Sequence, residues 1–226
     1  MEHPTGRAGD PVQPGARSLV VRLWLPDRPG ALGQVASRIG AVRGDLLAID
    51  ILERGGGQVV DELVVSLPDG VPEELLAREI GAVDGVAVEH IRLAAADRPD
   101  PAMAMFELGA RVAEAPPGEA VALLCEGLRA ALDADWAVVT SNGSELHRSG
   151  EPPASAWLAA FLEGSDHLED DHAGPGDVLW AKLSASGIVV AAGRAARAAH
   201  DRERARLRVL GRIVDPLLAR SLADGS

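Results

Sequence analysis

The sequence predicts an α+β protein of two domains, each an antiparallel sheet with helices packed against it. Three observations lead there. Short β-branched runs face each other across glycine turns, amphipathic helical stripes separate them, and the polar, proline-bearing stretch "AADRPDP" at residues 95–101 interrupts the pattern. With 226 residues the chain exceeds the usual length of one domain, and two small domains would each still bury a core. Residues 1–17 read as a disordered tail, 18–95 as the first domain, 96–101 as a linker and 102–222 as the second domain.

The first domain opens with "SLVVRLWL" (residues 18–25), apolar and β-branched and ended by Pro26, which reads as a strand. In "PDRPGALGQVASRI" (26–39) and just beyond, Leu32, Val35, Ala36, Ile39 and Val42 recur at three- and four-residue spacing, so a helix follows, with Pro29 and Gly30 marking its start. "DLLAIDILE" (45–53) and "QVVDELVVSL" (58–67) flank Gly55, Gly56 and Gly57, the pattern of two antiparallel strands joined by a glycine turn. In the second of these, Val60, Glu62, Val64 and Ser66 alternate with Asp61, Leu63, Val65 and Leu67. "PEELLAREIGAV" is a second helix that opens with Pro72, then Glu73 and Glu74, where the helix dipole favours carboxylates. "GVAVEHIRLA" (85–94) closes the unit as a strand. One antiparallel sheet carrying both helices on one face satisfies this order, a ferredoxin-like βαββαβ layout.

Beyond the break, Met105, Leu108, Val112 and Ala115 form a helical stripe, and "GEAVALLCEGLRAAL" (118–132) is a second, more amphipathic helix. "DWAVVTS" (135–141) and "ELHRSG" (145–150) are strands around the Asn142–Gly143 turn, the best hairpin signal in the chain. "SAWLAAFLEG" is a short helix, and "DVLWAKL" (177–183) with "GIVVAAGRA" (187–195) forms another hairpin. Residues 202–222 form a closing helix with Leu207, Leu210, Ile213, Val214, Leu217 and Leu218 on one side, which Pro216 should kink or restart. Helices at both ends thus embrace a sheet of four or more strands, an α/β sandwich.

Composition narrows function. A balance of 34 acidic against 22 basic residues, net charge −12, disfavours attraction to nucleic-acid backbones and anionic lipid, so no nucleic-acid or membrane partner is expected. The first seventeen residues carry no signal-peptide core and no later stretch has membrane-spanning length, so a cytoplasmic location is expected. The single cysteine, Cys125, forms no intramolecular disulfide and reads as a small buried hydrophobe rather than a reactive thiol.

The Pro29–Gly30 pair carries the clearest chemical signal. Proline is tolerated in a first helical turn because its missing N–H would have no intrahelical partner, and glycine lets another group approach the backbone. The N–H groups of Gly30, Ala31 and Leu32 would then point out of the helix start, carrying partial positive charge and ready for a carboxylate. Asp27, just ahead, would repel a bare anion and attract an ammonium, so the loop suits a zwitterion, a free amino acid. The same residues also read as a plain turn in which Asp27 or Arg28 caps the helix and Pro-Gly shapes the bend.

The strand, then "LPDRPGALGQVASRIGAVRGDLLAIDI", then a glycine turn and a β-rich run, resembles the ACT domain over residues 19–94. That resemblance implies a regulatory module that binds amino acids, commonly where two copies pair through their sheets and helices. It places ligand contacts at Asp27, Pro29, Gly30, Ala31 and Leu32, with a second strip at the start of the second strand, Leu46 and Leu47. Serine-sensing members tend to be polar just before the Asp position and on the second strand, whereas this chain has Leu25, Pro26 and Leu46. That departure favours an apolar amino acid, or a site that no longer binds.

The second half, residues 102–222, resembles a short GAF domain in its element order and in "DWAVVTS", "SGIVVAAGR" and "RARLRVLGRIVDPLLAR". This implies a sensory module that cups small ligands beneath its sheet and often dimerises through terminal helices; it maps no ligand residue and no chromophore-attaching cysteine, and no cofactor is implied. "SDHLEDDH" (165–172) gathers Asp166, His167, Glu169, Asp170, Asp171 and His172, all metal-ligating types, but in one loop, so a solvated acidic loop is expected and no metal. The arginines of "GRAARAAHDRERARLRVLGR" (193–212), beside His200, Asp201 and Glu203, read as a solvated face on a dimerising helix rather than a nucleic-acid helix. No Ser/His/Asp motif, P-loop or zinc-type spacing argues for catalysis, so a non-enzyme is expected.

The sequence therefore points to a homodimeric amino-acid sensor whose ligand at the paired Asp27–Leu32 loops alters pairing, the second domain passing the change to a protein partner that the sequence does not identify. The alternative is a constitutive dimeric scaffold or adaptor with no small-molecule ligand.

Overall fold

The computed structural model describes residues 15–95, 98–116, 118–165, 177–195 and 197–224. The chain divides into two units, Met1–Arg98 and Pro99–Ser226, and each has its own hydrophobic core.

The first unit runs β1 (Ala16–Pro26), α1 (Ala31–Ala41), β2 (Asp45–Gly55), β3 (Gln58–Pro68), α2 (Glu73–Gly81) and β4 (Ala87–Leu93). Its sheet has the order β2-β3-β1-β4 with every neighbouring pair antiparallel. Period-two alternation decides the faces. Leu19, Val21, Leu23 and Leu25 of β1 and Leu63, Val65 and Leu67 of β3 join Ala31, Val35 and Ile39 of α1 and Leu76 and Ile80 of α2 in one core. Each such fully buried leucine or isoleucine contributes about 1.5–3 kcal/mol of burial free energy. Val20, Arg22 and Trp24 lie on the other face. The β2–β3 turn places Gly56 and Gly57 at φ 59° and 78°, the two positive angles of a tight type I′ hairpin. This is the ferredoxin-like arrangement expected from the element order.

Three local expectations change. Ala16 and Arg17 belong to β1 rather than to a tail, because the ladder with β3 continues to Ala16 opposite Pro68 and the Arg17 guanidinium donates to the carbonyls of Pro68, Asp69 and Val71. Residues 1–14 lie outside the described residues. Pro29 is not in the first helical turn, since Gly30 stands at φ 85° and a left-handed residue cannot be helical; α1 begins at Ala31. Pro72 likewise precedes α2 with an extended backbone, φ −64° and ψ 145°.

The second unit runs α3 (Pro101–Glu114), α4 (Ala120–Ala131), β5 (Trp136–Ser141), β6 (Ser144–Gly150), α5 (Ser155–Ser165), β7 (Val178–Leu183), β8 (Ile188–Gly193) and α6 (Asp201–Asp224). Its sheet is β6-β5-β8-β7, again all antiparallel. Asp100 caps α3 by accepting from the N–H groups of Ala102 and Met103, with Pro101 as the first helical residue, a cap worth about 1 kcal/mol. Ala137 and Val139 of β5 pack with α3, α4 and α6 in the main core, while Trp136 and Val138 pack on the opposite face with Leu158, Phe161 and Leu162 of α5. The two faces of one strand thus serve two cores.

Pro216 does not restart the last helix; α6 continues through it. The Arg220 side chain donates to the Pro216 carbonyl, and Asp215 accepts from the Ala185 and Ser186 N–H groups and the Ser186 hydroxyl of the β7–β8 turn. The arginine run is not a uniformly solvated face. Arg194 is 2% exposed and pairs with Glu203 at 2.7 Å; Arg204 is buried and donates to the Val178 and Ala199 carbonyls; Arg197 pairs with Asp133 at 2.8 Å. These side chains tie the residues ahead of α6, and α6 itself, to the sheet edge. The six acidic and histidine residues between 166 and 172 lie outside the described residues. Among the described residues, no helix is long and apolar enough to cross a membrane.

Candidate functional site

The loop from β1 to α1 is built by short backbone ties. Asp27 N–H donates to the Gly57 carbonyl at 2.9 Å, fastening the loop to the β2–β3 turn, and Arg28 N–H donates to the Pro26 carbonyl at 2.8 Å. Gly30 then reverses the chain, and the first bond of α1 runs from Gln34 N–H to the Gly30 carbonyl at 3.0 Å. Neither Asp27 nor Arg28 caps the helix: no side chain accepts a hydrogen bond at its start. Arg28 donates instead to the Gln34 side chain.

That leaves donors open, although not quite those expected. Ala31 N–H donates to the Arg28 carbonyl at 3.3 Å, so it is engaged. The N–H groups of Gly30 and Leu32, as expected, and that of Gly33 donate to nothing among the described residues, as groups at a helix start without a cap do. A Cβ placed on Gly30 or on Gly33 would meet no atom within 4 Å, so open space lies beside the helix start. Gly33 was not singled out from the sequence, and its signal was there: a second glycine one turn into a helix that glycine weakens.

The charges around this opening differ from the sequence reading. The Asp27 carboxylate accepts from Arg54 at 2.9 Å in a half-exposed pair, so it already holds a cation. Behind it stands Asp61, 2% exposed, whose Oδ1 is buried and has no hydrogen-bond partner. Burial pushes the Asp61 carboxyl above its ordinary pKa, the Arg54 guanidinium works against that, and the charges of Asp50 and Asp27 add to the rise. Asp61 lies opposite Leu23 and Ile51, which places it on the sheet face that packs against α1. Its signal in the sequence was a carboxylate at a core-facing position of an alternating strand.

Leu46 and Leu47 are not brought to this loop within one chain. Leu46 pairs with Val65, which pairs with Leu19, whereas the loop follows Leu25; the intervening six residues of β1 span about 20 Å. Leu46 packs against the core, and Leu47 is 48% exposed at a bulge between Leu46 and Ala48. The part of β2 beside the loop is its far end, at Arg54.

The second unit holds a cleft of about 300 Å³ between its sheet and α5, lined among others by Thr140, Glu145, Leu158, Leu162, Lys182 and Val189. Cys125 is no nucleophile for this unit: it is fully buried, and burial, with Glu126 and Glu145 nearby, pushes its thiol up to about 12.

No known protein-family profile and no curated protein sequence matches the chain. Among solved structures, it is similar to an unknown protein from Galdieria sulphuraria, at 12% identity and a TM-score of 0.32 over 79% of this chain and 80% of that one. It is similar to the ACT domain of a GTP pyrophosphokinase from Chlorobium tepidum, at 15% identity and a TM-score of 0.27 over 35% of this chain and 99% of that one. A putative glycine cleavage system transcriptional repressor aligns at 10% identity and a TM-score of 0.31 over 91% of this chain and 92% of that one.

Proposed function

We propose that this chain is a non-catalytic regulatory protein that senses an amino acid at the β1–α1 loop. The observation that carries the proposal is the uncapped start of α1, whose first N–H groups are unused, with open space at Gly30 and Gly33 and the half-exposed Asp27 carboxylate just ahead in the loop. Such a start binds a carboxylate, and its anionic surroundings select one that carries its own ammonium. Leu46 and Leu47, about 20 Å away in the same chain, contribute only from a second copy, so the complete site belongs to a homodimer. Ligand bound across that pair favours one pairing over another, and the second unit passes the shift to a protein partner.

A constitutive scaffold is the second reading, and one observation favours it: Asp27 is already satisfied by Arg54, so the loop is complete without a ligand. Thermal unfolding of the wild type and Gly33→Asp with each of the twenty amino acids at millimolar concentration separates the two. A ligand of the native state raises the wild-type Tm by mass action, while Gly33→Asp, which fits its open site and sets a carboxylate on the same N–H groups, abolishes the rise. No rise in the wild type with any amino acid assigns the chain to the scaffold class.

A further inference from the structure

The outer edge of the second unit's sheet carries a pattern that the amino-acid reading does not use. Among the described residues this sheet ends at β7. The Asp177 carbonyl accepts from Arg194 N–H at 3.1 Å, so the odd-numbered residues of β7 turn their backbone groups toward β8 and the even-numbered ones turn theirs outward. The Val178 carbonyl accepts from Arg204 at 3.2 Å, as that parity allows, whereas the outward N–H and C=O of Trp180 meet no partner among the described residues. Beside this edge runs a groove of about 320 Å³, walled by Trp180 and Lys182 of β7 and by Arg208, Gly211, Arg212 and Asp215 of α6. The helix lies against the strand at Gly211, where an added Cβ would touch Leu183 at 3.7 Å and Ala181 at 3.9 Å. Asp215, the one carboxylate here, is taken by the Ala185 and Ser186 N–H groups. Three cations thus line a strand edge in a chain whose net charge is −12.

We propose that this edge takes up an extended acidic segment of a partner protein as an added strand. Trp180 supplies the backbone pair, and the partner's side chains alternate. Acidic ones meet Arg208 and Arg212 on the α6 side of the sheet, and apolar ones lie beside Trp180 on the α5 side. A second copy of this chain is the wrong occupant, because β7 against β7 would set Lys182, Arg208 and Arg212 against their own like charges. An acidic strand turns the same charges into attraction and steers the encounter. The inference goes beyond the amino-acid reading and uses none of its residues; it gives the protein partner of the second unit a docking place.

The test uses the full chain and fluorescein-labelled heptapeptides that alternate Glu with Val, Asp with Leu or Glu with Phe, read by fluorescence anisotropy. A fourth probe is the Glu/Val peptide with two adjacent backbone amides methylated, which keeps every side chain and loses strand pairing. The expected result is that at least one acidic peptide binds with Kd below about 1 mM, that methylation weakens it about tenfold or more, and that Arg212→Glu in the protein does the same. Binding also slows hydrogen exchange at the Trp180 amide, measured by NMR. No binding of any of the three acidic peptides overturns the proposal and leaves the amino-acid reading standing, since Tm shifts with amino acids test that separately. Equal affinity of the methylated peptide, or unchanged exchange at Trp180, reduces the binding to plain charge attraction and overturns the added strand. Equal affinity of Arg212→Glu overturns the location. Arg212 is exposed, so the variant should fold; if it does not, exchange at Trp180 in the wild type decides.

Discussion

Asp61 and Glu62 are adjacent carboxylates on one strand, both almost sealed from water, and they face opposite sides of the sheet. Glu62, 4% exposed, accepts from Arg22 Nε and Nη2 through Oε2 and from Arg98 Nη2 at 2.7 Å through Oε1. Burial alone would raise its pKa, but the two guanidiniums outweigh burial and hold it below the ordinary value. Asp61, with no donor on Oδ1, is pushed the other way. Burial of a charge is therefore tolerable or costly according to its partners. Glu62 is held by its guanidiniums, whereas Asp61 Oδ1 has no donor, so two neighbouring buried carboxylates bear burial differently.

The largest expected effect breaks the partnered side. Glu62→Ala takes from the buried Arg22 guanidinium its carboxylate partner at 2.7 Å and should lower stability by about 3 kcal/mol in urea unfolding. A loss below about 1 kcal/mol would show that the network is not a structural tie. Next in size, Asp61→Asn should raise unliganded stability at neutral pH by about 1–2 kcal/mol, because it removes a buried charge without a donor.

The pH dependence sharpens the same contrast. Glu62 has a depressed folded pKa, so its contribution is present above the ordinary 4.5 and is lost as pH falls through the folded value. Asp61 has a raised folded pKa, so its contribution is present below the ordinary 3.8 and is lost as pH rises through the folded value. Acidification should thus shrink the stability difference between wild type and Asp61→Asn, and shrink with opposite sign that between wild type and Glu62→Gln. Unfolding free energies measured from neutral to acidic pH check both slopes. The smallest effect belongs to the surface: Asp27→Ala removes a half-exposed pair with Arg54 and should cost no more than about 0.5 kcal/mol, so a larger loss would mark the loop as structurally fixed.

Much of the fold was legible because it is local. The periodicity of Val35 and Ile39, the alternation of Leu19, Val21 and Leu23, and the Gly56–Gly57 and Asn142–Gly143 turns each act within a few residues, and the structure places them as that chemistry requires. Helix starts were harder to place. Gly30 and Pro72 shifted by a residue or two because their exact role depends on backbone angles rather than composition. The candidate site was half legible. Its loop could be read from "PDRPGALG", but Asp27's partner Arg54 is twenty-seven residues away, and nothing in the spacing announces it.

The sequence by itself determined the element order and most of the buried stripes, Val35 and Ile39 of α1 and Leu207, Leu210, Val214 and Leu218 of α6 among them, although Ile213, expected in the α6 stripe, is 40% exposed; hydrogen-bond period and side-chain direction are properties of short segments. Only the tertiary structure decided that Arg54 occupies Asp27, that Glu62 has two guanidiniums and Asp61 has none on Oδ1, and that Leu46 and Leu47 lie at the other end of the sheet. Charge pairing and burial depend on which strands become neighbours and in what register, and that is settled by the sum of contacts across the whole domain.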